Sequence, residues 1–181
     1  MSFFSEEAEL FAREYAIVEA MRTAWSDDIK RFFTTLHSAV EQRLCEELGD
    51  VKLHKRLTAG SPGSLYWWIS SGASEIGNAT LWYSREYPEL IRDKQVHWRA
   101  YLDIESRKAP EKIQSKWTGL VEPELRKLQP GLTLALGAAD TFTPLRLVVH
   151  WREDPITESA ILLADVLAIL HRAVSKVKES V

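Results

Sequence analysis

Two histidines with the same neighbours are the residues in this chain best suited to chemistry or binding. The tetrapeptide Val-His-Trp-Arg that contains His97 recurs 53 residues later around His150. If both copies lie in neighbouring strands, the two imidazoles share one face with Arg99 and Arg152. Such a cationic patch could bind an anion. Alternatively, an imidazole could act as a general base with the guanidinium groups as electrophilic neighbours. The simpler interpretation, which we favour, leaves histidine and arginine on a solvated or helix-covered face while valine and tryptophan fill the core.

A second group of candidates combines basic and aromatic side chains. The run of residues 52–56 contains four bases, and Tyr66 and Trp68 follow shortly after it. Basic side chains contact phosphates and aromatic rings stack on bases, so this group could bind nucleic acid. The chain as a whole has a net charge of −3, however, and positive residues on an edge strand also prevent aggregation. We therefore regard nucleic acid as a less favoured partner than protein.

The sequence contains no motif of a recognised active site. The loop at residues 58–64 lacks the Gly-Lys-Ser/Thr ending of a phosphate-binding loop, and neither a dinucleotide-binding glycine pattern nor a nucleophile elbow occurs. The one cysteine, Cys45, excludes an intramolecular disulfide and a cysteine-rich metal site. Asp103 and Glu105 lack the correctly spaced lysine of a magnesium-dependent nuclease. We predict no catalytic residue, metal ligand or cofactor, and the sequence favours a non-enzymatic protein.

Composition places the chain among ordinary globular proteins. It has 181 residues, of which 45% are hydrophobic and 27% charged. The N-terminal residues lack the basic and apolar regions of a secretory signal, and no apolar stretch reaches the length of a membrane span. These features predict a cytoplasmic protein that does not enter a membrane.

Hydrophobic periodicity predicts an N-terminal pair of helices. Apolar residues recur at steps of three or four over residues 5–24, and Ser26 followed by two aspartates is typical of a helix N-cap. A second helix is then expected to continue to Leu48, with Gly49 ending it. We predict that the two helices form an antiparallel pair or a kinked run. They would pack on the rest of the chain, or against a second copy of themselves in a homodimer.

The rest of the sequence predicts an α+β domain. Strands are expected near residues 51–57, 65–71, 79–84, 95–104, 132–136 and 145–152, and helices near 110–127 and 156–177. The predicted fold class is thus an antiparallel sheet of five to six strands with two packed helices, preceded by the helical pair. Residues 1–49 would form the helical pair and residues 50–181 the sheet domain.

The predicted order of elements resembles two known architectures. From about Ser26 it is similar to that of small α/β secretion chaperones, which have a helix, three strands, a helix, two strands and a helix. This resemblance implies a non-enzymatic dimer that binds an extended client. The same stretch also resembles the core of restriction-endonuclease-like folds, and the missing acidic triplet would make such a domain degenerate. No functional residue is carried over from either family.

Our prediction from the sequence is therefore a non-enzymatic, adaptor-like or chaperone-like module that binds a protein, with a nucleic-acid-processing domain as the alternative. The expected binding residues are Tyr66, Trp68, His97, Arg99, His150 and Arg152.

Overall fold

The structure, a computed structural model, describes residues 5–49, 51–57, 65–69, 78–83, 92–103, 110–128, 132–136 and 145–178. Within these ranges the chain forms three helices and six strands. They are α1 Glu6–Leu48, β1 Leu53–Leu57, β2 Leu65–Ile69, β3 Asn78–Tyr83, β4 Gln95–Asp103, α2 Pro110–Leu125, β5 Leu132–Leu136, β6 Leu145–His150 and α3 Pro155–Lys178. The predicted loop at residues 58–64 and the residue Glu105 lie outside the described ranges.

The N-terminal region is one helix of 43 residues, so the predicted break at Ser26 is wrong. Ser26 lies in the interior of α1, where the two aspartates that follow it pair with bases one turn later. Asp27 lies 3.5 Å from Lys30, and Asp28 lies 3.2 Å from Arg31. These pairs stabilise the helix interior in the place where a cap was expected.

The predicted end of this helix is confirmed at Gly49. The amide of Gly49 donates to the carbonyl of Cys45 at 3.0 Å, and its φ of 81° lies in the left-handed region. Glycine adopts this conformation without the steric cost that a β-carbon would add.

The strands pair side by side, and every pairing is antiparallel. Their order across the sheet is β1-β2-β3-β4-β6-β5, so β6 lies between β4 and β5. Strands β5 and β6 therefore form a hairpin, and its second strand, β6, pairs with β4.

Contacts divide the chain into two compact units, Met1–Thr35 and Leu36–Val181. In the second unit, Trp67 and Trp98 are fully buried with ring centroids 4.8 Å apart. Helices α2 and α3 pack on each other, and α3 also packs on β3 and β6. The buried tryptophans and the apolar faces of these helices form the core of the unit.

The last turns of α1 hold the start of β1 through three side chains at successive steps of four residues. The His37 Nε2–H donates to the carbonyl of Leu53 at 3.1 Å, and the amide of Leu53 donates to Glu41 at 3.3 Å. The thiol of Cys45 donates to the carbonyl of Val51 at 3.3 Å. The position of Cys45 beside Leu44 on the apolar stripe predicts a small buried residue, but the side chain is exposed.

The fold class predicted from the sequence is therefore wrong as stated. A single long helix replaces the helical pair, and residues 36–48 of that helix belong to the same unit as the strands. Three helical segments, instead of the two that were expected, thus contribute to this unit. Four strands, and not the three of both resembled architectures, separate α1 from α2.

Candidate binding face of the sheet

The sheet has one buried face and one accessible face, which follow from the alternation of side chains along each strand. In β4, Val96, Trp98 and Ala100 are buried, whereas His97 and Arg99 are partly exposed. In an antiparallel sheet, residues directly opposite one another lie on the same face. We call the side that carries His97 the open face.

The two histidines of the repeated tetrapeptide both lie on the open face. His97 lies opposite Val148, and His150 lies opposite Gln95. Since Gln95 is two residues before His97, the two imidazoles occupy diagonal positions on adjacent strands. Side chains in this relation are about 7–8 Å apart at their backbone positions, within reach of long or aromatic side chains.

Arg99 has a basic neighbour that sequence reasoning missed. It lies directly opposite Arg146 of β6, which is exposed. Arg146 is the outward residue between buried Leu145 and Leu147, so the alternation in β6 was the signal that could have identified it. Two arginines at opposite positions on one face provide two guanidinium groups, whose donors suit a carboxylate or another anion.

Arg152 does not join this group through the strand, because β6 ends at His150. Its amide donates to Glu158 Oε2 at 2.9 Å, and its carbonyl accepts from Lys94 Nζ at 2.9 Å. The backbone of Arg152 is thus part of the turn that begins α3. The sequence predicted that Arg152 occupies a strand position equivalent to that of Arg99. The chain instead leaves the strand before Arg152 and enters the turn that precedes α3.

The turn before α3 is built from two carboxylates. Asp154 Oδ1 accepts the amides of Ile156 at 2.9 Å and Thr157 at 3.0 Å, and Glu158 Oε1 accepts those of Glu153 and Asp154, each at 2.9 Å. These backbone amides hold the pKa of both carboxyl groups below their usual values. Pro155 at the first helical position completes a strong helix start.

The aromatic part of the open face lies on β1 and β2, at the edge of the sheet farthest from β5. His54 and Trp68 lie opposite each other on β1 and β2, with their rings stacked at a centroid distance of 5.3 Å and an angle of 15°. Tyr66 lies two residues before Trp68 on β2, and its side chain lies outside what the structure describes. By register Tyr66 is opposite Trp82, which is in turn opposite Arg99.

Five of the eight described side chains on the open face are basic and none is acidic, and by register Asp103 at the end of β4 occupies a position of the same face. The outward positions with described side chains are His54, Trp68, Gln95, His97, Arg99, Arg146, Val148 and His150. None of these eight is a carboxylate, two are arginine and three are histidine. The face therefore suits a negatively charged ligand, although the whole chain carries a net charge of −3.

Two further properties concern the part of the chain that the structure describes. Among the described residues, no group of three or more histidine, cysteine, aspartate or glutamate side chains is placed to hold a metal ion. The helices, so far as they are described, include none with both the length and the apolar character needed to cross a bilayer.

Comparison with known proteins returned no matching family, no matching curated protein and no matching solved structure.

Proposed function

We propose that the chain is a non-enzymatic binding protein whose open face holds an extended, acidic segment of a partner protein. The observation that supports this most directly is the pair formed by Arg99 and Arg146, which lie opposite each other on adjacent strands. Both side chains carry guanidinium donors, which bind carboxylates in strong charge-assisted hydrogen bonds.

The histidines extend this binding surface along the two central strands. His97 is two residues from Arg99 on β4, and His150 lies diagonally from it at the end of β6. A partner with carboxylates spaced along an extended chain would meet these bases in succession.

Aromatic residues would give such a partner an apolar anchor. Trp68 is partly exposed and stacked on His54. Tryptophan contributes much of the binding energy at protein interfaces, because it buries a large area at little cost in conformational entropy. A bulky residue of the partner against Trp68 would supply affinity, while the basic strands would supply charge selectivity.

The test is a titration of the intact chain with two peptides of equal length and apolar content, one rich in glutamate and one in which glutamine replaces glutamate. We expect a change in tryptophan fluorescence with the acidic peptide only. Arg146→Glu should abolish the change, whereas Arg13→Glu, which reverses an exposed charge on α1, should leave it. Equal responses to both peptides would contradict the proposal.

Single-stranded nucleic acid is the second candidate ligand, and the stack of His54 on Trp68 within a basic face favours it. A protein ligand fits better, because a dedicated nucleic-acid-binding domain usually carries a strong basic excess, whereas this chain has a net charge of −3. Anisotropy of a labelled oligonucleotide at several salt concentrations separates the two. A steep loss of affinity with salt, together with no response to the acidic peptide, would favour nucleic acid.

A further inference from the structure

The two edge strands of the sheet, β1 and β5, differ in how they are protected. At β1, side chains of α1 already bond the outer backbone, because Glu41 accepts the amide of Leu53 and His37 donates to its carbonyl. The same strand contains Lys55 and Arg56, and charged residues on an edge strand oppose pairing with another chain. This edge is therefore protected by the chain itself.

The opposite edge strand, β5, carries no such charges. Its sequence, Leu-Thr-Leu-Ala-Leu, contains no charged residue and no proline. Among the strands that the structure describes, β5 pairs with β6 alone. An uncharged edge strand offers its backbone to another extended chain. The outer edge of β5 is therefore a candidate binding surface.

The hydrogen bonds between β4 and β6 determine which way the backbone of β6 points. The amide of Trp151 donates to the carbonyl of Lys94 at 3.2 Å, in the register that places His150 opposite Gln95. Bonded and non-bonded pairs alternate along an antiparallel ladder. The odd-numbered residues of β6 therefore bond to β4, and its even-numbered residues bond to β5.

The same alternation fixes the backbone of β5. The even-numbered residues Val148 and Arg146 lie opposite Thr133 and Ala135, so these two residues of β5 bond to β6. The amides and carbonyls of the residues between and beside them point away from the sheet. These residues are Leu132, Leu134 and Leu136.

The charges beside this edge favour an acidic chain. By register, Thr133 and Ala135 occupy positions of the open face, next to Arg146 and His150 of β6. A strand added to β5 would lie two strand spacings from β6, about 10 Å. Threonine and alanine are short, so a glutamate of the added strand and the long side chain of Arg146 can meet above β5. A second copy of the chain would instead bring another set of the same bases to this face.

The other face of the edge favours apolar residues. Register places the three leucines of β5 opposite Leu145, Leu147 and Val149 of β6, all of which are buried. Successive side chains of a strand point to opposite faces. The edge thus fits an extended chain in which acidic residues alternate with apolar ones.

We propose that the acidic segment of the partner binds along the outer edge of β5 as a seventh strand of the sheet. Its acidic side chains lie on the open face and its apolar side chains on the buried face. This inference rests on the proposed function and adds the position and the backbone contacts of the segment. Backbone hydrogen bonds supply affinity, and the bases of β6 select acidic residues. Trp68 lies on β2, near the opposite edge, so a contact with it belongs to another part of the partner.

The first test measures amide exchange by NMR in the intact chain, alone and saturated with a peptide in which glutamate alternates with apolar residues. The amides of Leu134 and Leu136 should exchange about tenfold more slowly in the complex, because they gain hydrogen-bond partners. Thr133 and Ala135 are the matched controls, since their amides already bond to β6 and should be protected in both states.

Unchanged exchange at the two leucines would overturn the proposal. If the peptide still changes the tryptophan fluorescence, the proposed function stands and the segment lies elsewhere on the open face. If the fluorescence does not change either, the proposed function fails as well.

The second test uses two peptides of this sequence, N-methylated on the acidic residues or on the apolar ones. In an added strand, the amides of only one set face β5. Methylation of that set should weaken binding by about fivefold for each hydrogen bond lost, and methylation of the other set should leave binding unchanged. Loss with the apolar set indicates an antiparallel strand, and loss with the acidic set a parallel one. Equal effects of both would overturn the proposal.

Two further results would assign the edge to a different occupant and overturn the proposal. Leucine amides that are already protected in the free monomer would show that the chain covers this edge itself. Protection that rises with protein concentration, together with twice the mass of the 20.7 kDa monomer, would assign the edge to a second copy.

Discussion

Val96 and Val149 lie directly opposite each other on the two central strands, β4 and β6. They are the first residues of the two copies of the repeated tetrapeptide, 53 residues apart in sequence. The pairing around them is symmetric, because His97 lies opposite Val148 just as His150 lies opposite Gln95. The repeat is therefore arranged about a local two-fold axis between the two valines.

The symmetry holds for the central pair of strands, β4 and β6. It weakens in the two hairpins that contain them, β3–β4 and β5–β6. Tyr83 lies opposite Trp98 in the first hairpin, but Leu136, which is 53 residues after Tyr83, lies opposite Leu145. An exact repeat would place Leu136 opposite Trp151, which is 53 residues after Trp98. The register of the β5–β6 pair is therefore shifted by six residues from that of the β3–β4 pair. Since six is even, the displacement keeps every side chain on its original face.

Replacement of Arg146 should separate stability from binding. Arg146→Glu converts the like-charged pair with Arg99 into an opposite-charged pair, so the free energy of unfolding should rise by about 0.2–1 kcal/mol while acidic peptide binding is lost. Urea denaturation at low and high salt checks this, because the gain should shrink as salt screens the pair. A loss of stability at low salt would show that the two guanidinium groups do not repel each other in the free protein.

The adjacent residues Trp67 and Trp68 test the assignment of one buried and one accessible face to the sheet. Trp67 is fully buried between His37 and Trp98, whereas Trp68 is partly exposed on the open face. Trp67→Ala should lower the free energy of unfolding by about 3–5 kcal/mol, and Trp68→Ala by about 1 kcal/mol. Equilibrium unfolding in urea measures both, and similar losses would contradict the assignment of the faces.

The strands could be predicted from the sequence because their pattern has a period of two. Val96, Trp98 and Ala100 alternate with polar residues, and the structure buries all three. The same alternation assigned His97 and Arg99 to the other face. Arg152 could not be placed in this way, because Asp154 and Glu158 cap the following helix and end the strand at His150.

The N-terminal helices could not be predicted correctly because local and longer-range signals disagree. Ser26 followed by two aspartates is a typical cap, but the apolar stripe passes from Trp25 to Ile29 without a change of phase. A true boundary between antiparallel helices would normally interrupt that phase. The continuous stripe, and the ion pairs made by Asp27 and Asp28, correspond to the single helix that forms.

The stability of the second unit should depend on pH through His37. Burial of its ring, together with repulsion from Lys55, lowers its pKa below the ordinary value of 6.5. The unfolded chain therefore takes up a proton more readily, so the free energy of unfolding should be highest above pH 6.5. It should fall as the pH decreases from 6.5 towards the lowered native pKa.

Two variants test this assignment by urea denaturation at a series of pH values. His37→Gln keeps a donor for the carbonyl of Leu53 but removes the titrating ring, so the slope below pH 6.5 should become smaller. Lys55→Gln removes a repulsive charge, which should raise the pKa of His37 and narrow the pH range of the slope. A slope unaffected by His37→Gln would assign the pH dependence to other groups.

Ser5 and Ser26 form a matched pair that tests whether α1 is continuous. Ser5 precedes the helix and its hydroxyl oxygen accepts the amide of Ala8 at 3.2 Å, whereas Ser26 lies in the helix interior. Ser5→Ala should therefore reduce helicity at the N-terminus, since a lost cap costs about 0.5–2 kcal/mol of helix stability. Ser26→Ala should raise helicity, because alanine is the better helix former by up to about 0.7 kcal/mol in a helix interior. Far-UV circular dichroism and amide exchange over residues 6–30 measure both effects. If Ser26→Ala instead weakened the helix as strongly as Ser5→Ala, Ser26 would be a cap and the chain would have two helices there.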